Sequence, residues 1–237
     1  MYEVLQQILN FFGHGFCHQY SERSLEVGEL FFCVCARCTG IYLGLIITLV
    51  VAALVYSRRS ESKAARQKWA IVVGVVLVIP MSIDGGGSYA GLFETTNLNR
   101  YITGYLSGMG LGIIASGGLV SILPRSSQSQ RAISTPAWLT AVLLISAAAG
   151  ALFYLGYPYW GIAGPLISLA SLWLAVTFVL LLLVSTTKLW TPATPAPRRA
   201  VLVALCLLAA LAAMAVFSLS ASFFGFIVPW YPQGTLG

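Results

Sequence analysis

The amino-terminal part of this 237-residue chain concentrates the side chains that could bind a metal or exchange electrons. Four of its five cysteines and both histidines fall within 25 consecutive residues. These are Cys17, Cys33, Cys35, Cys38, His14 and His18. Packing alone is a poor explanation for such clustering, so this segment is a candidate chemical site. The fifth cysteine, Cys206, lies in a stretch rich in Ala and Leu and is interpreted as a small apolar filler.

The spacing of these residues predicts a zinc site. Cys35 and Cys38 form a Cys-x-x-Cys pair, and two thiols at this spacing can bind one ion from a tight turn. Gly40 follows and lets backbone amides approach the sulfurs. Cys17 and His18 would supply the second half of the site, although adjacent side chains diverge in regular structure, so we expect one of the two to coordinate. A closed set of four protein ligands would make the zinc structural, whereas an open fourth position would suit catalysis.

Two other interpretations of the cysteines remain open. The Cys-x-x-Cys pair could be a redox couple, with Arg37 between the two thiols helping to stabilise a thiolate and with Cys17 or Cys33 as the resolving thiol. Alternatively, the cysteines could form disulfides that hold together an exposed segment in an oxidising compartment. Spacing alone does not separate these interpretations from metal binding.

A second polar group lies further along the chain. Asp84 is about fifteen residues into an apolar stretch, near the edge of the hydrocarbon, and an acid there needs a partner. We predict that its partner is Arg100. Asn97, Arg100 and Thr103 recur at three-residue spacing and would share one helical face. If the metal site is catalytic, Asp84 would be the general base, and Arg100 with Asn97 would hold an anion such as a phosphate.

A simpler interpretation of these polar residues also stands. Asp84 could mark a helix end before the glycine turn that follows it, and Arg100 could be an interfacial anchor whose charged head reaches the water.

Composition places the whole chain in a membrane. Hydrophobic residues make up 58% of it, charged residues only 8%, and the mean hydropathy is +0.86. These values exclude disorder and make a soluble globule improbable. We predict an all-α polytopic protein with about six transmembrane helices. The apolar runs are Thr39 to Ser57, Trp69 to about Gly86, Tyr101 to Leu123, Pro136 to Tyr157, Trp160 to Val184 and Ala200 to about Val228.

The basic residues predict how these spans are oriented. Ten of the thirteen Lys and Arg residues lie in the connections after spans one, three and five, which share one side of a six-span alternation. By the positive-inside rule that side is the cytoplasm, so both termini face outward in a prokaryotic plasma (inner) membrane. The net charge of +6 therefore orients helices and does not indicate nucleic-acid binding.

Two glycine patterns predict which spans pack closely. Gly40 and Gly44 in span one, and Gly104 and Gly108 in span three, are GxxxG patterns that permit close helix approach. If these two faces meet, Cys38 is brought near Arg100.

Several motifs of the chain resemble a known family. They are Cys17-His18-Gln19, the block from Cys35 to Gly44 (CARCTGIYLG), Asp84-Gly85, and the NxxRxxTG pattern from Asn97 to Gly104. Together they resemble the domain-of-unknown-function family twenty eighty-five, an uncharacterised family of prokaryotic integral membrane proteins. The resemblance implies a small helical membrane domain whose members share these polar residues, and it brings no established activity. Family members commonly carry Pro before the Cys-Ala-Arg-Cys block, so the resemblance implies that Cys33 is dispensable as a ligand.

The chain is accordingly divided into three parts. Residues 1–38 form a Cys/His-rich segment, residues 39–123 contain spans one to three and complete the family-like core, and residues 124–237 contain spans four to six. The leading hypothesis is an integral membrane metalloprotein with zinc at its outer face, acting as an enzyme on a lipid-linked or membrane-held substrate. The alternatives are a thiol-disulfide oxidoreductase using Cys35 and Cys38, and a transporter or metal-handling protein.

Overall fold

The computed structural model describes residues 2–55, 63–122, 135–187 and 194–223. Seven helices and one two-stranded sheet lie within these ranges. In chain order they are α1 (Tyr2–His14), β1 (Ser24–Val27), β2 (Leu30–Cys35), α2 (Ala36–Val55), α3 (Lys63–Tyr89), α4 (Asn97–Ile122), α5 (Thr135–Gly156), α6 (Ala163–Ser185) and α7 (Ala196–Phe223). The all-α polytopic class predicted from the sequence is confirmed.

Five of the described helices are long and apolar enough to cross a membrane, namely α2, α3, α5, α6 and α7. The remaining predicted span, Tyr101 to Leu123, corresponds to the 26-residue helix α4. Glycines and buried serines such as Ser107 make α4 less apolar. They lie where α4 packs against α2 and α3 rather than against lipid.

The packing of α2 against α4 depends on glycine. A methyl group at Gly104 would lie 2.2 Å from the carbonyl oxygen of Arg37, and one at Gly108 would lie 2.2 Å from that of Ile41. A methyl group at Gly40 would likewise collide with the backbone of Tyr101. The two GxxxG faces therefore meet, as the sequence predicts, and only glycine permits this approach.

The hairpin of β1 and β2 was not foreseen in the sequence. Gly28, with φ +61°, supplies the left-handed residue of its two-residue connection. Phe32 of β2 is fully buried, contacts the rings of Phe153 and Tyr157, and lies 3.0 Å from the position of a methyl group on Gly164. The hairpin thus covers the end of the bundle where α2 begins, and we call this the hairpin end.

Helix α1 packs on the outside of the hairpin. The side chain of Gln6 pairs with the backbone of Phe31 in both directions, accepting from its N–H at 2.8 Å and donating to its carbonyl at 3.2 Å. The buried Leu9 packs with Leu172 of α6 and Met214 of α7. These contacts fix the chain that leads into Cys17.

One helix boundary differs from the sequence-based interpretation. Helix α3 continues through the three glycines after Asp84 and ends at Tyr89, so Asp84 does not mark a helix end. Asp84 is instead 6% exposed within the helix, because it faces the start of α2 and α4.

Some predictions fall outside the described residues. They concern Arg58, Arg59, Arg125, Arg131 and Lys188 in the basic connections, the boundary between residues 123 and 124, and the end of the last span near Val228.

Candidate metal centre

Three of the predicted ligands converge at the hairpin end. The sulfur atoms of Cys17, Cys35 and Cys38 all lie within 4.8 Å of one another. Cys17 comes from the loop after α1, Cys35 is the last residue of β2, and Cys38 lies in the first turn of α2. Sulfurs bound to one tetrahedral zinc ion at about 2.3 Å would lie about 3.8 Å apart, so the three thiols are close enough to bind one ion with at most a small contraction.

The other predicted ligand, His18, does not join this group. Its side chain is exposed and its ring is parallel to that of Tyr20, with 6.2 Å between the ring centroids. It does line the same cavity as the three thiols. The divergence of adjacent side chains accounts for the different directions of Cys17 and His18.

The remaining cysteines take no part in the cluster. Cys33 is fully buried, with its sulfur 3.5 Å from the hydroxyl oxygen of Ser168, and burial raises the pKa of its thiol to about 12. Cys206 is buried within α7. All five cysteines are free thiols in this structure.

Gln19 holds the Cys17 loop in place. Its side-chain amide donates to the carbonyl oxygens of Cys33 at 2.7 Å and Asn10 at 3.0 Å. Gln19 is buried and has φ +52°, which is left-handed and unusual for a residue with a side chain. The backbone at Gln19 is therefore locally strained, and the two side-chain hydrogen bonds of Gln19 hold it in this conformation. They connect α1 to β2 and keep Cys17 beside Cys35.

The electrostatics of the cluster favour a thiolate at Cys35. The pKa of Cys35 is lowered well below its usual range, because the thiols of Cys17 and Cys38 donate hydrogen bonds to it and the backbone amides at the start of α2 point toward it. The hydrogen bond to Cys35 in turn raises the pKa of Cys17. The backbone N–H of Cys35 also donates to the Cys17 sulfur at 3.3 Å.

The ion pair predicted between Asp84 and Arg100 is not formed. Asp84 accepts from Nε of Arg37 at 2.9 Å, and the Nη2 atom of Arg37 binds the same carboxylate oxygen. The hydroxyl of Thr103 donates to this oxygen at 3.1 Å. Asp84 therefore connects α3 to the starts of α2 and α4. A carboxylate held this way is poorly placed to act as the general base suggested by the sequence.

Asn97 and Arg100 lie on the first turn of α4, which begins early enough to place them on one face. Asn97 donates to the carbonyl oxygens of Glu22 at 3.3 Å and Ser24 at 3.2 Å, and so ties α4 to the hairpin. Arg100 donates to the side-chain oxygen of Asn97 at 3.3 Å and forms no ion pair with the described residues. Thr96 starts the helix, because its hydroxyl accepts from the N–H of Asn99 at 3.2 Å.

A cavity of about 280 Å³ opens beside the thiols. Cys38 and Arg100 both line it, which agrees with the proximity expected from the glycine faces. Its lining is Phe16, Cys17, His18, Gln19, Tyr20, Arg23, Cys35, Arg37, Cys38, Ile41, Met81, Gly85, Tyr89 and Arg100. The three clustered thiols, cationic groups and apolar side chains therefore share one space.

Sequence reasoning assigned no role to Arg23 or Gln19, and it assigned Arg37 a different role from the one that the structure shows. The sequence analysis expected Arg37 to stabilise a thiolate, because it lies between Cys35 and Cys38 in sequence. Within a helix, however, consecutive residues point about 100° apart, so Cys38 and Arg37 face different neighbours. The sequence feature that could have pointed to Gln19 as part of the site is its position directly after Cys17 and His18.

Comparisons with known proteins support the resemblance seen in the motifs. The family model described as "Predicted membrane protein (DUF2085)" matches residues 17–114. An uncharacterised protein of Methanothermobacter thermautotrophicus is 34% identical over 98 residues, which cover 41% of this chain and 82% of the relative. An uncharacterised protein of Methanocaldococcus jannaschii is 33% identical over 92 residues, 39% of this chain and 56% of the relative, so the chain spans about half the length of that relative. No solved structure matches.

Proposed function

This chain belongs to the DUF2085 family of predicted membrane proteins, and we propose that it is an integral membrane metalloprotein whose zinc ion is bound by Cys17, Cys35 and Cys38. The observation that carries this proposal is the convergence of three thiols from two separate segments of the chain. A disulfide needs only two of them. A third sulfur within reach of both others is what a metal ion uses, and thiolate ligands favour zinc among the common divalent ions.

The three thiols line the cavity, so a fourth ligand for a metal bound by them would come from this space or from its other lining residues. His18 lines that cavity with an exposed side chain, and its imidazole is the candidate nitrogen ligand for a closed site. With His18 left in its stacked position on Tyr20, the fourth position would take water or a substrate oxygen, which is the arrangement of a catalytic zinc. The enzymatic form of the proposal depends on this open position and no longer on Asp84.

The surrounding charges suit a thiolate-rich metal site. Zinc with three thiolates carries one net negative charge. The cavity lining contributes three guanidinium groups, of which only that of Arg37 is neutralised by a buried carboxylate. Positive neighbours offset both the charge of the site and the cost of deprotonating the thiols.

The orientation in the membrane belongs to the same proposal. The basic connections predict that the hairpin end lies on the outer side of a prokaryotic plasma membrane. The cavity then opens at the outer edge of the bilayer, where a lipid-linked or membrane-held substrate could reach the metal.

Elemental analysis of the purified protein tests the metal site. The wild type is expected to hold about one zinc ion per chain, as a single three-thiolate site requires. Cys17→Ser, Cys35→Ser and Cys38→Ser should each lose most of it. Cys33→Ser and Cys206→Ser are the matched controls and should retain it, because their sulfurs lie outside the cluster. A zinc-free wild type, or equal zinc in all five variants, would contradict the proposal.

A dithiol redox protein is the second candidate, and one observation favours it. Cys35 ends a strand at the start of α2, where hydrogen bonds lower its pKa, and Cys38 follows one turn later. A low-pKa thiol at a helix start is typical of a reactive cysteine. Alkylation and mass spectrometry before and after reduction separate the two candidates. A Cys35–Cys38 disulfide in metal-free protein supports the redox function, whereas free thiols with stoichiometric zinc exclude it.

A further inference from the structure

Beside the thiol cluster, the cavity gathers cationic side chains that the proposed metal does not use. Arg23 comes from the turn before β1, Arg37 from the start of α2 and Arg100 from the start of α4. Three guanidinium groups from three segments line one space of about 280 Å³. Like charges repel, and of these three only Arg37 is paired with a buried carboxylate, so an anion bound beside the other two would be stabilised.

The three arginines are not equivalent. Arg37 is satisfied by the buried Asp84. Among the described residues, the acidic partner of Arg23 is the exposed Glu22 at 3.9 Å, and Arg23 lies over the ring of Tyr20 with 5.1 Å to its centroid. Arg100 donates one hydrogen bond to Asn97, and the described residues offer it no carboxylate. Arg23 and Arg100 therefore keep donors available for a ligand.

Part of the cavity lining is apolar. Ile41 of α2 and Met81 of α3 belong to it, and Tyr89 stands at the end of α3 with 72% of its surface exposed. Nearby, Ile83 of the same helix is 62% exposed, which is usual for a side chain that faces lipid. A ligand in this cavity would place one end between the two arginines and the other against apolar side chains at the bundle surface.

From this arrangement we infer that Arg23 and Arg100 bind the phosphate group of an amphipathic ligand, whose apolar part lies against Ile41, Met81 and Tyr89. Guanidinium groups recognise phosphate oxygens with paired hydrogen bonds, and partial burial strengthens such contacts. The inference goes beyond the zinc site, because the two arginines can hold the phosphate whether or not a metal is present.

Calorimetric titration of the detergent-solubilised full chain tests the inference, with short-chain phosphatidic acid, inorganic phosphate and short-chain diacylglycerol, which has no phosphate, as probes. Phosphatidic acid should bind to the wild type, and Arg23→Gln and Arg100→Gln should each weaken its binding about tenfold or more. Arg198→Gln, at the start of α7 and outside the cavity lining, is the matched control and should bind as the wild type does. Arg100→Lys keeps the charge and should recover part of the affinity.

The outcomes separate this inference from the metal proposal. Unchanged zinc content in the Arg23 and Arg100 variants would show that the loss of phosphatidic acid binding is not a loss of fold. Zinc-free wild type that still binds phosphatidic acid through Arg100 would refute the metal site and support the phosphate site. Equal affinity for phosphatidic acid and diacylglycerol, or equal binding by R23Q, R100Q and R198Q, would overturn the inference. Binding of inorganic phosphate as tight as that of phosphatidic acid would overturn its lipid part.

Discussion

The buried ion pair of Arg37 and Asp84 is the main electrostatic contact between the helices that surround the cavity. Both side chains are nearly inaccessible, with 12% and 8% of their side-chain surfaces exposed. Removing one partner of such a pair leaves a buried charge without compensation, which is far costlier than losing an exposed pair. Arg37, which lies between Cys35 and Cys38 in sequence, thus joins α2 to α3 through Asp84. The same carboxylate binds Thr103 of α4.

Asp84→Asn should therefore destabilise the protein by about 3–5 kcal/mol. Thermal unfolding in detergent measures the effect. Glu22→Gln is the matched control, because Glu22 is exposed and its pair with Arg23 is worth at most about 1 kcal/mol. Replacing both partners by apolar residues, as in Arg37→Met with Asp84→Leu, should recover stability relative to the single variant. An Asp84→Asn protein as stable as the Glu22→Gln control would refute a structural role for the pair.

At the scale of elements, the sequence predicted the long apolar helices well, but it predicted neither α1 nor the hairpin. Long apolar runs and GxxxG spacing report directly on membrane helices and on their close approach, because lipid and glycine impose simple rules. The strand from Leu30 to Cys35 is a short apolar run, which periodicity alone cannot assign. The gathering of Cys17 with Cys35 was predictable from residue type, whereas the outward direction of His18 and the contact between Arg37 and Asp84 depend on how the elements turn toward each other.

The contact between α2 and α4 gives a prediction at this scale. Gly104→Ala and Gly108→Ala should each destabilise the bundle by about 1–3 kcal/mol, because the added methyl group meets a carbonyl oxygen of α2. The same shift would move Cys38 relative to Cys17, so the Gly104→Ala protein should also hold less zinc.

Gly86→Ala provides the control for these variants. A methyl group there meets nothing within 4 Å, and alanine favours the helix by up to about 1 kcal/mol over glycine. Thermal unfolding and zinc content are measured for all three. If Gly104→Ala behaves like Gly86→Ala, the close packing of α2 on α4 is wrong.

At the scale of the whole molecule, the contacts between helix ends show how the chain runs through the bundle. The start of α2, the end of α3 and the start of α4 meet around Asp84. The end of α5 reaches the same hairpin end, because Phe153 contacts Phe32 of β2. Helix α4 must therefore lead away from the hairpin end and α5 must return to it. The 26 residues of α4 span about 39 Å, which exceeds the hydrocarbon thickness of about 30 Å.

This path predicts that α4 is a sixth transmembrane segment. A reporter fused after Glu94, before α4, should lie on the outer side, and one fused after Gln128, before α5, should lie in the cytoplasm. Alkaline phosphatase, active only outside, and green fluorescent protein, fluorescent only inside, give opposite readings at each site. A further fusion after Tyr159 should match the one after Glu94, since α5 returns to the same side. Equal readings at Glu94 and Gln128 would mean that α4 does not cross, whereas a reversal of all three would keep six spans and place the thiols and arginines on the cytoplasmic face.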